Sequence, residues 1–459
     1  MKRTLLMAMA ALAAGGALAL DRVAVSTNAN AYVQVGFDTR GRFETFDNMI
    51  GGRDHQNVGG KYWRQFRFRA RPWVRFDVDR FSLVTRMEWA WRDYSNYSGT
   101  HDKGSFPDEF FVDNLYLQAT NLFDFVDFRI GRQDFLHGSW RLFMDGTPGD
   151  GGRSIYFDMA RVTTHLSDKS LIDWGLIWNH YRNRLSIGNP NDDWDLTMYG
   201  SGGPLYGHEY SKMDEKGAFA YAQIGEIDWL PIDLYWIWKD ETRSYRYNAS
   251  TRTRTRYPGR TFNTIGTRLQ PKFGDVFSGE FEGALQFGDD ILAGMIYGGA
   301  SAKTGDLKST LACLYYSGDR RNYYLNDNGK TDHAWNPVFG RSPQFSEYFC
   351  INGYDNARWS NIVYPHVKFE IDLKAIAEGN IISWQTGPMF CAVKDEGAPS
   401  HNYGWFQAIA YDFPIFPKFL KIPGLKGRLM YETLAFGDYY RHHGSSPGSF
   451  FRIDVVYSF

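Results

Sequence analysis

The chain is built largely from segments in which apolar and polar residues alternate one by one. In residues 66–78 every even position is apolar, while the odd positions include Arg67, Arg69, Arg71 and Arg75. Because successive side chains of a β-strand point to opposite faces, this segment predicts a strand with one apolar and one cationic face. Such a strand is typical of a membrane barrel with lipid outside and a wet, arginine-lined lumen inside.

The same alternation recurs along the whole chain and predicts an all-β protein. The alternating segments number about 18, an even number, as bacterial single-chain barrels require. Their bounds are roughly 31–44, 62–78, 81–94, 110–120, 125–134, 156–166, 171–180, 217–227, 232–246, 261–270, 276–287, 291–302, 308–317, 360–373, 380–391, 403–413, 424–436 and 450–459. We therefore predict a transmembrane antiparallel β-barrel that forms a single domain over residues 20–459.

The connections between the predicted strands alternate between short and long. Turn-forming residues fill the short ones, at 79–80, 121–124, 167–170 and 228–231. The long ones are 45–61, 95–109, 135–155, 181–216, 247–260 and 318–359, and segment 414–423 is atypically long for the short side. Short periplasmic turns and long extracellular loops produce this alternation, whereas a soluble sandwich or propeller would not need it.

Both ends of the chain carry signals of export. Lys2 and Arg3 precede a short apolar run and the small-residue site Ala17-Leu18-Ala19, which predicts a cleaved signal peptide over residues 1–19. The alternative, an N-terminal membrane anchor, needs about 20 apolar residues, more than this run provides. At the other end an alternating strand closes on Phe459, and this resembles the signal read by the barrel-insertion machinery.

Composition narrows the class of protein further. Hydrophobic residues make up 43% and aromatic residues 17% of the 459 residues, and the mean hydropathy is -0.44. High aromatic content with low hydropathy suits barrel strands and their interfacial girdles. The formal charge of -1 becomes -3 when Lys2 and Arg3 leave with the signal peptide, which argues against nucleic-acid binding.

No motif of metal, nucleotide or redox chemistry stands out. The sequence holds no H-E-x-x-H, Walker or C-x-x-C motif, and we predict neither an enzyme nor a bound cofactor. The cysteines are Cys313, Cys350 and Cys391, an odd number that allows at most one disulfide in an oxidising compartment and does not indicate which two residues would pair. Segment 145–152 has the composition of a metal-binding loop but lacks calcium-motif spacing, so a flexible loop is the preferred interpretation.

The polar faces of the predicted strands hold the candidate lumen residues. If 79–80 forms a two-residue turn, Arg71 lies opposite Glu88 and Arg67 opposite Arg92. Two arginines that face each other repel unless an anion or a carboxylate lies between them, which favours an anion path. The same alternation turns further charged residues inward, namely Arg86, Glu88, Arg268, Glu280, Glu282, Arg428 with Glu432, and Arg452 with Asp454.

A structural role is the alternative for each of these charges. Wide barrels hold water, and ladders of arginine and carboxylate can keep their walls rigid. For a single arginine both roles stay open. The four arginines of segment 66–78 exceed local structural need, so we predict an anion-attracting track there, whose focused potential tunes selectivity.

One long loop carries a further cationic cluster. Arg252, Arg254 and Arg256 alternate with threonine in the loop 247–260. They could recruit anions or contact the phosphates of lipopolysaccharide in the outer-membrane lipid. A solvated strand extension above the membrane explains them equally well.

Several ordered segments resemble the alginate-export family of outer-membrane porins. Residues 129–143 read R-I-G-R-Q-D-F-L-H-G-S-W-R-L-F, and residues 153–162 read R-S-I-Y-F-D-M-A-R-V. Segments 336–348, 359–362 and 431–440 are similar to later parts of the family, so the resemblance covers most of the mature chain. It implies a monomeric barrel of about 18 strands whose arginine-rich constriction passes a polyuronate outward.

The resemblance also implies a set of constriction residues. These are Arg129, Arg132, Arg141, Asp158 and Arg161. Members of the family carry an Arg-Ser-Phe-Asp-x-x-Arg strand, and this chain departs from that pattern because Ile155 and Tyr156 separate Arg153-Ser154 from Phe157-Asp158. The near-neutral net charge and the inward Glu280 and Glu282 also fail to single out a polyanion.

We therefore predict a passive outer-membrane channel that moves anionic sugars, oligosaccharides or alginate-like polysaccharide through an arginine-lined lumen. The sequence encodes no energy source, so direction must come from a gradient or from periplasmic export partners. The alternative is a general or nutrient-uptake porin in which the arginines act only as a weak anion filter. A barrel enzyme or adhesin would need a catalytic cluster or a structured outer-loop face, and the sequence indicates neither.

Overall fold

The computed structural model forms one continuous barrel sheet from most of the chain. It describes residues 20–26, 30–48, 63–94, 109–144, 156–180, 183, 185, 187, 214–242, 244–248, 253–257, 259–319, 331–340, 345–351, 360–395, 397–415, 424–440 and 446–458. The predicted signal peptide, the segment 145–152 and Phe459 lie outside the described residues.

The predicted antiparallel barrel is confirmed. The main sheet contains 20 strands, of which Leu20–Ser26 and Lys272–Phe273 are short pieces beside the wall, and the other 18 close the barrel. These are β1 (Ala31–Asp47), β2 (Trp63–Val78), β3 (Phe81–Tyr94), β4 (Glu109–Leu122), β5 (Val126–Gln133), β6 (Phe157–His165), β7 (Ser170–Asn179), β8 (Glu215–Ile224), β9 (Ile232–Glu241), β10 (Arg260–Leu269), β11 (Phe277–Gly288), β12 (Ile291–Thr304), β13 (Leu307–Tyr316), β14 (Ile362–Asp372), β15 (Ile381–Phe390), β16 (Asn402–Pro414), β17 (Lys426–Phe436) and β18 (Gly448–Ser458).

The barrel closes between its first and last strands. β1 pairs with β18 from Asp38 opposite Ser458 to Asp47 opposite Ser449. The start of β1 extends beyond the end of β18 and pairs instead with strand Leu20–Ser26. A closed ladder satisfies the backbone polar groups within the wall, which a bilayer requires of any sheet that spans it.

The two faces of the wall differ as the alternation predicts. On β7 the outward Trp174, Leu176 and Trp178 are 48%, 65% and 58% exposed, while the inward Asp173 and Ile177 are 4% and 3% exposed. A continuous apolar outer surface of this kind is the lipid-facing belt of a membrane barrel. Among the described residues, no helix is long and apolar enough to cross a membrane.

The connections follow the predicted division into short and long sides. Short turns at 79–80 and 166–169 join neighbouring strands on one side. On the other side, Ser244–Asn248 and Thr253–Tyr257 form a hairpin between β9 and β10. This hairpin contains Arg254 and Arg256, whose side chains lie outside the description, as does Arg252. The long side also holds helix α1 (Glu347–Ile351) and the 3-10 turn Asp438–Tyr440.

Two parts of the long connections fold into the lumen and fill one side of it. We call 134–144 and 331–340 the inward segments, and they pair through Phe143–Met144 and Phe339–Gly340 as a short parallel sheet. The ring of Phe143 lies 4.9 Å from that of Phe219 on β8 and 5.8 Å from that of Phe339. Packed aromatic rings of this size stabilise such a contact strongly. The lumen therefore has an aromatic, packed side and a charged side.

Candidate functional site

The charged side of the lumen is dominated by buried arginines on β1, β2 and β18. We call Arg40, Arg42, Arg67, Arg69, Arg71 and Arg452 the arginine wall. The strand register sets Arg40 opposite Arg69 and Arg42 opposite Arg67. Each member is between 2% and 5% exposed. Side chains buried to this extent need partners, because an uncompensated buried charge is strongly unfavourable.

The turn at 79–80 sets the predicted register between β2 and β3. Arg67 lies opposite Arg92, as the two-residue turn predicts, although the side chain of Arg92 is outside the description. Glu88 is fully buried on β3. The register alone therefore followed from the sequence, but the partners of the arginines did not.

Carboxylates on β1 and β18 compensate the arginine wall. The carboxylate of Glu44 lies 2.6 Å from Arg452 Nη2, 3.4 Å from Arg67 Nη1 and 3.6 Å from Arg42 Nη1. Arg42 also donates to Asp454. Glu44 is 1% exposed, so these ion pairs are shielded from water. At Arg67 the contact with Glu44 supports the structural alternative, and the anion-attracting track of segment 66–78 stays a prediction.

The other three arginines of segment 66–78 also have acidic partners. Arg71 Nε lies 2.8 Å from Asp38 on β1, and Arg69 Nη2 lies 3.8 Å from the same carboxylate. Arg75, at 39% exposure of its side chain, pairs with Asp77 at 2.8 Å. The pairing of β2 with β3 did not reveal these partners, because Asp38 and Glu44 lie on the polar face of β1.

Arg86, on β3, connects the barrel sheet to the first inward segment. Its Nη2 lies 2.9 Å from Asp113 on β4 and 2.7 Å from Asp134, the first residue of that segment. Asn114 also donates to Asp134 at 3.0 Å. Arg86 therefore links the barrel strands to the first inward segment.

Arg141 holds the far end of the same segment against β11. Its Nη1 lies 3.0 Å from Glu280 and 2.5 Å from Glu282, and its guanidinium packs 3.8 Å from the ring of Tyr297. Burial lowers the pKa of Arg141, but Glu282 and Glu280 raise it by a larger amount. The pKa therefore lies above its ordinary value, and the guanidinium stays charged. Arg268 adds a contact to Glu280 at 3.0 Å. Glu280 and Glu282 thus anchor an inward segment.

On β17 and β18 the contacts differ from the predicted neighbours. Arg428, at 43% exposure of its side chain, lies 3.6 Å from Asp412 on β16. Glu432 instead accepts hydrogen bonds from Ser346 Oγ at 2.8 Å and from the backbone of helix α1. Arg452 lies 3.9 Å from Asp454 but makes its closer contacts with Glu44 and with Glu347 of α1.

Arg132 and Asp158 form an ion pair on a different face from Arg129. The pair joins β5 and β6, with Arg132 Nε 2.8 Å from Asp158. Strand alternation puts Arg132 on the face of Ile130, which is 46% exposed, and the register sets it opposite Leu115, which is 40% exposed. The pair is therefore separated from the lumen face, which argues against a shared constriction with Arg129 and Arg161.

Arg129 and Arg161 lie directly opposite each other on β5 and β6. Both share the inward face, and we call them the arginine pair. Arg161 Nε lies 3.6 Å from Asp173 on β7, and that carboxylate is also bound by His137 Nε2 at 2.7 Å. Asp173 therefore divides its charge between two partners.

Arg129 has a neutral partner instead of a carboxylate. Its Nε and Nη2 donate to Gln118 Oε1 on β4 at 3.1 Å and 2.7 Å, and its guanidinium lies 4.5 Å from the ring centre of Tyr116. Among the residues that the structure describes, Arg129 forms no ion pair with a carboxylate. Within the arginine pair, Arg161 therefore has a carboxylate partner, and among the described residues Arg129 has only neutral ones.

Gly131 explains how β5 brings Arg129 so close to β4. Its φ of 124° lies in the region that favours glycine, and a Cβ there would come within 2.2 Å of the Leu115 carbonyl oxygen. This glycine belongs to the G-R-Q segment that carries the family resemblance. Its role in this chain is a close approach of two backbones.

Sequence reasoning missed Arg40, Arg42, Tyr116 and Gln118. The alternation of 31–44 already puts Arg40 and Arg42 on one face with Glu44, and that of 110–120 puts Tyr116 and Gln118 on another. The strand face on which each of these side chains lies could therefore be predicted from the sequence. The contact between Gln118 and Arg129 was not, because a register irregularity interrupts β4 and β5 between Ala119 and Leu122.

Other sequence features lead to no further chemistry. Residues 444–448 read G-S-S-P-G and match the serine-hydrolase pattern G-x-S-x-G in spelling, but Gly448 begins strand β18 rather than a strand-to-helix turn. Cys313 and Cys391 are free thiols. In the described part of the chain no group of His, Cys, Asp and Glu side chains could hold a metal ion.

Comparison with known proteins supports the fold. No protein-family model matches the sequence, and no curated protein matches it either. Among solved structures, OpdK of Pseudomonas aeruginosa is 13% identical, with a TM-score of 0.57 over 93% of this chain and 98% of that one. OpdQ of the same organism is 10% identical, with a TM-score of 0.59 over 93% and 97%.

OccAB1 of Acinetobacter baumannii has the same architecture, at 11% identity and a TM-score of 0.59 over 96% of this chain and 99% of that one. The alginate-export resemblance stays a prediction, since identities this low show the fold alone. The closed strand ladder and the apolar belt require a bilayer. The chain therefore has the fold of an outer-membrane porin and lies in the outer membrane of a Gram-negative-type bacterium.

Proposed function

We propose that this protein is a passive outer-membrane channel for anionic sugars and oligosaccharides, including alginate-like polyuronates. The observation that carries the proposal is the arginine pair, in which Arg129 and Arg161 face each other directly with incomplete compensation. Like charges opposite each other destabilise a sheet unless an anion screens them. A permeating carboxylate supplies that screening and is attracted to the pair.

Passage requires attraction that is weak enough for release. The arginine pair lies on the wall of a water-filled lumen, where focused potential concentrates counter-ions without binding them tightly. Arg129 is only partly buried, so a solute can approach it. We include Arg75 and Arg428 in the path, because their side chains are 39% and 43% exposed. Arg141, Arg268 and the buried arginine wall then maintain the shape of the lumen around this path.

The proposed partners follow from this location. Outer-membrane lipid and lipopolysaccharide surround the apolar belt, and the barrel-insertion machinery reads the C-terminal strand that ends at Phe459. Since a passive channel needs a gradient, export of a polymer would require periplasmic partners.

Planar-bilayer recording of the purified protein tests the proposal. In a KCl gradient we expect a reversal potential on the chloride-selective side, and current block by trigalacturonate but not by neutral maltotriose. A channel without ion preference that ignores trigalacturonate would contradict the proposal.

The packed side of the lumen favours a second candidate function, uptake of small anionic nutrients. The inward segments bury aromatic rings inside the barrel and leave less room for a polymer. OpdK, which has the same fold, has been solved with vanillate. Block by monomeric galacturonate as strong as that by the trimer would favour this candidate.

A further inference from the structure

Gln118 fixes Arg129 without cancelling its charge. A guanidinium only donates hydrogen bonds, so the oxygen of the Gln118 amide must be the atom that faces it. Two bonds to this one oxygen hold Arg129 Nε and Nη2. Tyr116 supports the guanidinium from one face. The side chain is therefore as well oriented as one in an ion pair.

Carboxylates provide the same support for several other lumen arginines. Asp38 holds Arg71, Glu44 holds Arg452, and Asp134 shares Arg86 with Asp113. In each case the partner brings one negative charge. Gln118 is similar in shape to a glutamate but brings none.

The carboxylate of Asp134, on the first inward segment, is engaged by another arginine. Arg161 lies directly opposite Arg129 and carries the same charge. Asp134 has the opposite charge, but it accepts hydrogen bonds from both terminal nitrogens of Arg86, at 2.8 Å and 2.7 Å. Among the described residues, no carboxylate forms an ion pair with Arg129 itself.

We infer that Gln118 is the positioning residue of an anion subsite formed by Arg129 and Arg161, and that its lack of charge leaves the anion selectivity of this subsite intact. This inference rests on the proposed function. Arg129 Nη1 and the Gln118 amide Nε2 take no part in the bonds between these two residues, so the subsite offers donors. Its ligand class is a carboxylate, which can accept two such hydrogen bonds side by side.

The test is the single substitution Gln118→Glu, which keeps the size of the side chain and adds one charge. We expect the chloride-to-potassium permeability ratio to fall about threefold, the Boltzmann weight of one unit charge acting across about 7 Å of water. Block by trigalacturonate should weaken in parallel. Gln385→Glu is the matched control, since Gln385 lies on β15 opposite Lys368 and bonds Tyr364 instead.

A second variant separates the amide from the charge. Gln118→Met keeps the volume and the net charge but removes the acceptor, so we expect an unchanged permeability ratio and a shorter dwell time of trigalacturonate. If Gln118→Glu shifts the ratio no more than Gln385→Glu does, the role of Gln118 is overturned while a selective wild-type channel still stands. If the wild-type channel itself has no anion preference, the proposed function fails first.

Discussion

The arginine wall and the arginine pair use the same side chain in two different ways. In the wall, Glu44 alone accepts contacts from three arginines, and every member is nearly inaccessible. In the pair, Arg129 rests on an amide and an aromatic ring and stays partly exposed. The number of arginines is therefore a poor guide to the field inside a barrel. The partner of each arginine decides whether it supports the wall or attracts a solute.

The largest effect, on the free energy of unfolding, should come from removing the carboxylate of Glu44, which three arginines of the arginine wall share. Glu44→Gln leaves Arg42, Arg67 and Arg452 without their shared carboxylate. Removing one partner of a buried ion pair costs about 3–5 kcal/mol, so we expect a loss of that size in the free energy of unfolding. Urea titration of the protein in lipid vesicles measures it.

Asp412→Asn is the control for this prediction. Its carboxylate is 42% exposed in the pair with Arg428, so the loss should stay below about 1 kcal/mol. Equal losses in both variants would show that burial does not separate the wall from exposed lumen pairs.

The next effect should come from removing the arginine pair. Arg129→Gln combined with Arg161→Gln deletes two unit charges from the accessible lumen. At about threefold per charge, the permeability ratio should fall about tenfold. Reversal potentials in bilayers measure the ratio. A fall of less than twofold would move the selectivity site away from these strands.

A double substitution that removes one ion pair from the arginine wall without changing the net charge sharpens the comparison. Arg42→Gln with Asp454→Asn removes one cation and one anion that already contact each other. Since the potential of a close opposite pair largely cancels at a distance, we expect a change in permeability ratio of less than about twofold. The same bilayer recordings test this. A tenfold change here would mean that the wall is part of the solute path.

The smallest effect should follow Arg75→Ser. Arg75 is half-exposed and paired with Asp77, so its contribution to stability should be about 0–1 kcal/mol. Chemical denaturation measures it beside Glu44→Gln. A loss as large as that of Glu44→Gln would remove the distinction between exposed and buried arginines on β2.

Much of the fold was predictable because each alternating segment has a forced inside and outside. The predicted segment 81–94 coincides with β3, and 62–78 with β2 to within a residue. β1 was predicted to end at residue 44 but continues to Asp47, because residues 45–47 remain paired with Phe451, Phe450 and Ser449 of β18.

Contacts between distant segments were not predictable. The inward segments have no regular alternation, so nothing in Phe135 or Phe143 indicates that Phe219 and Phe339 will surround them. The site was predictable in part for a similar reason. Arg129 and Arg161 were singled out by resemblance, but their separation from Arg132 and Asp158 depends on the strand alternation around Gly131.

The closure of the barrel between β1 and β18 has a consequence for assembly. Arg42 and Asp454 are 412 positions apart in the chain, and Arg452 and Glu44 are 408 apart. Contacts this remote form late, because the intervening chain must be ordered first. A last strand that docks one residue out of step would also turn its charges toward lipid. The ion pairs between β1 and β18 therefore stabilise the barrel only when the last strand is inserted in the correct register.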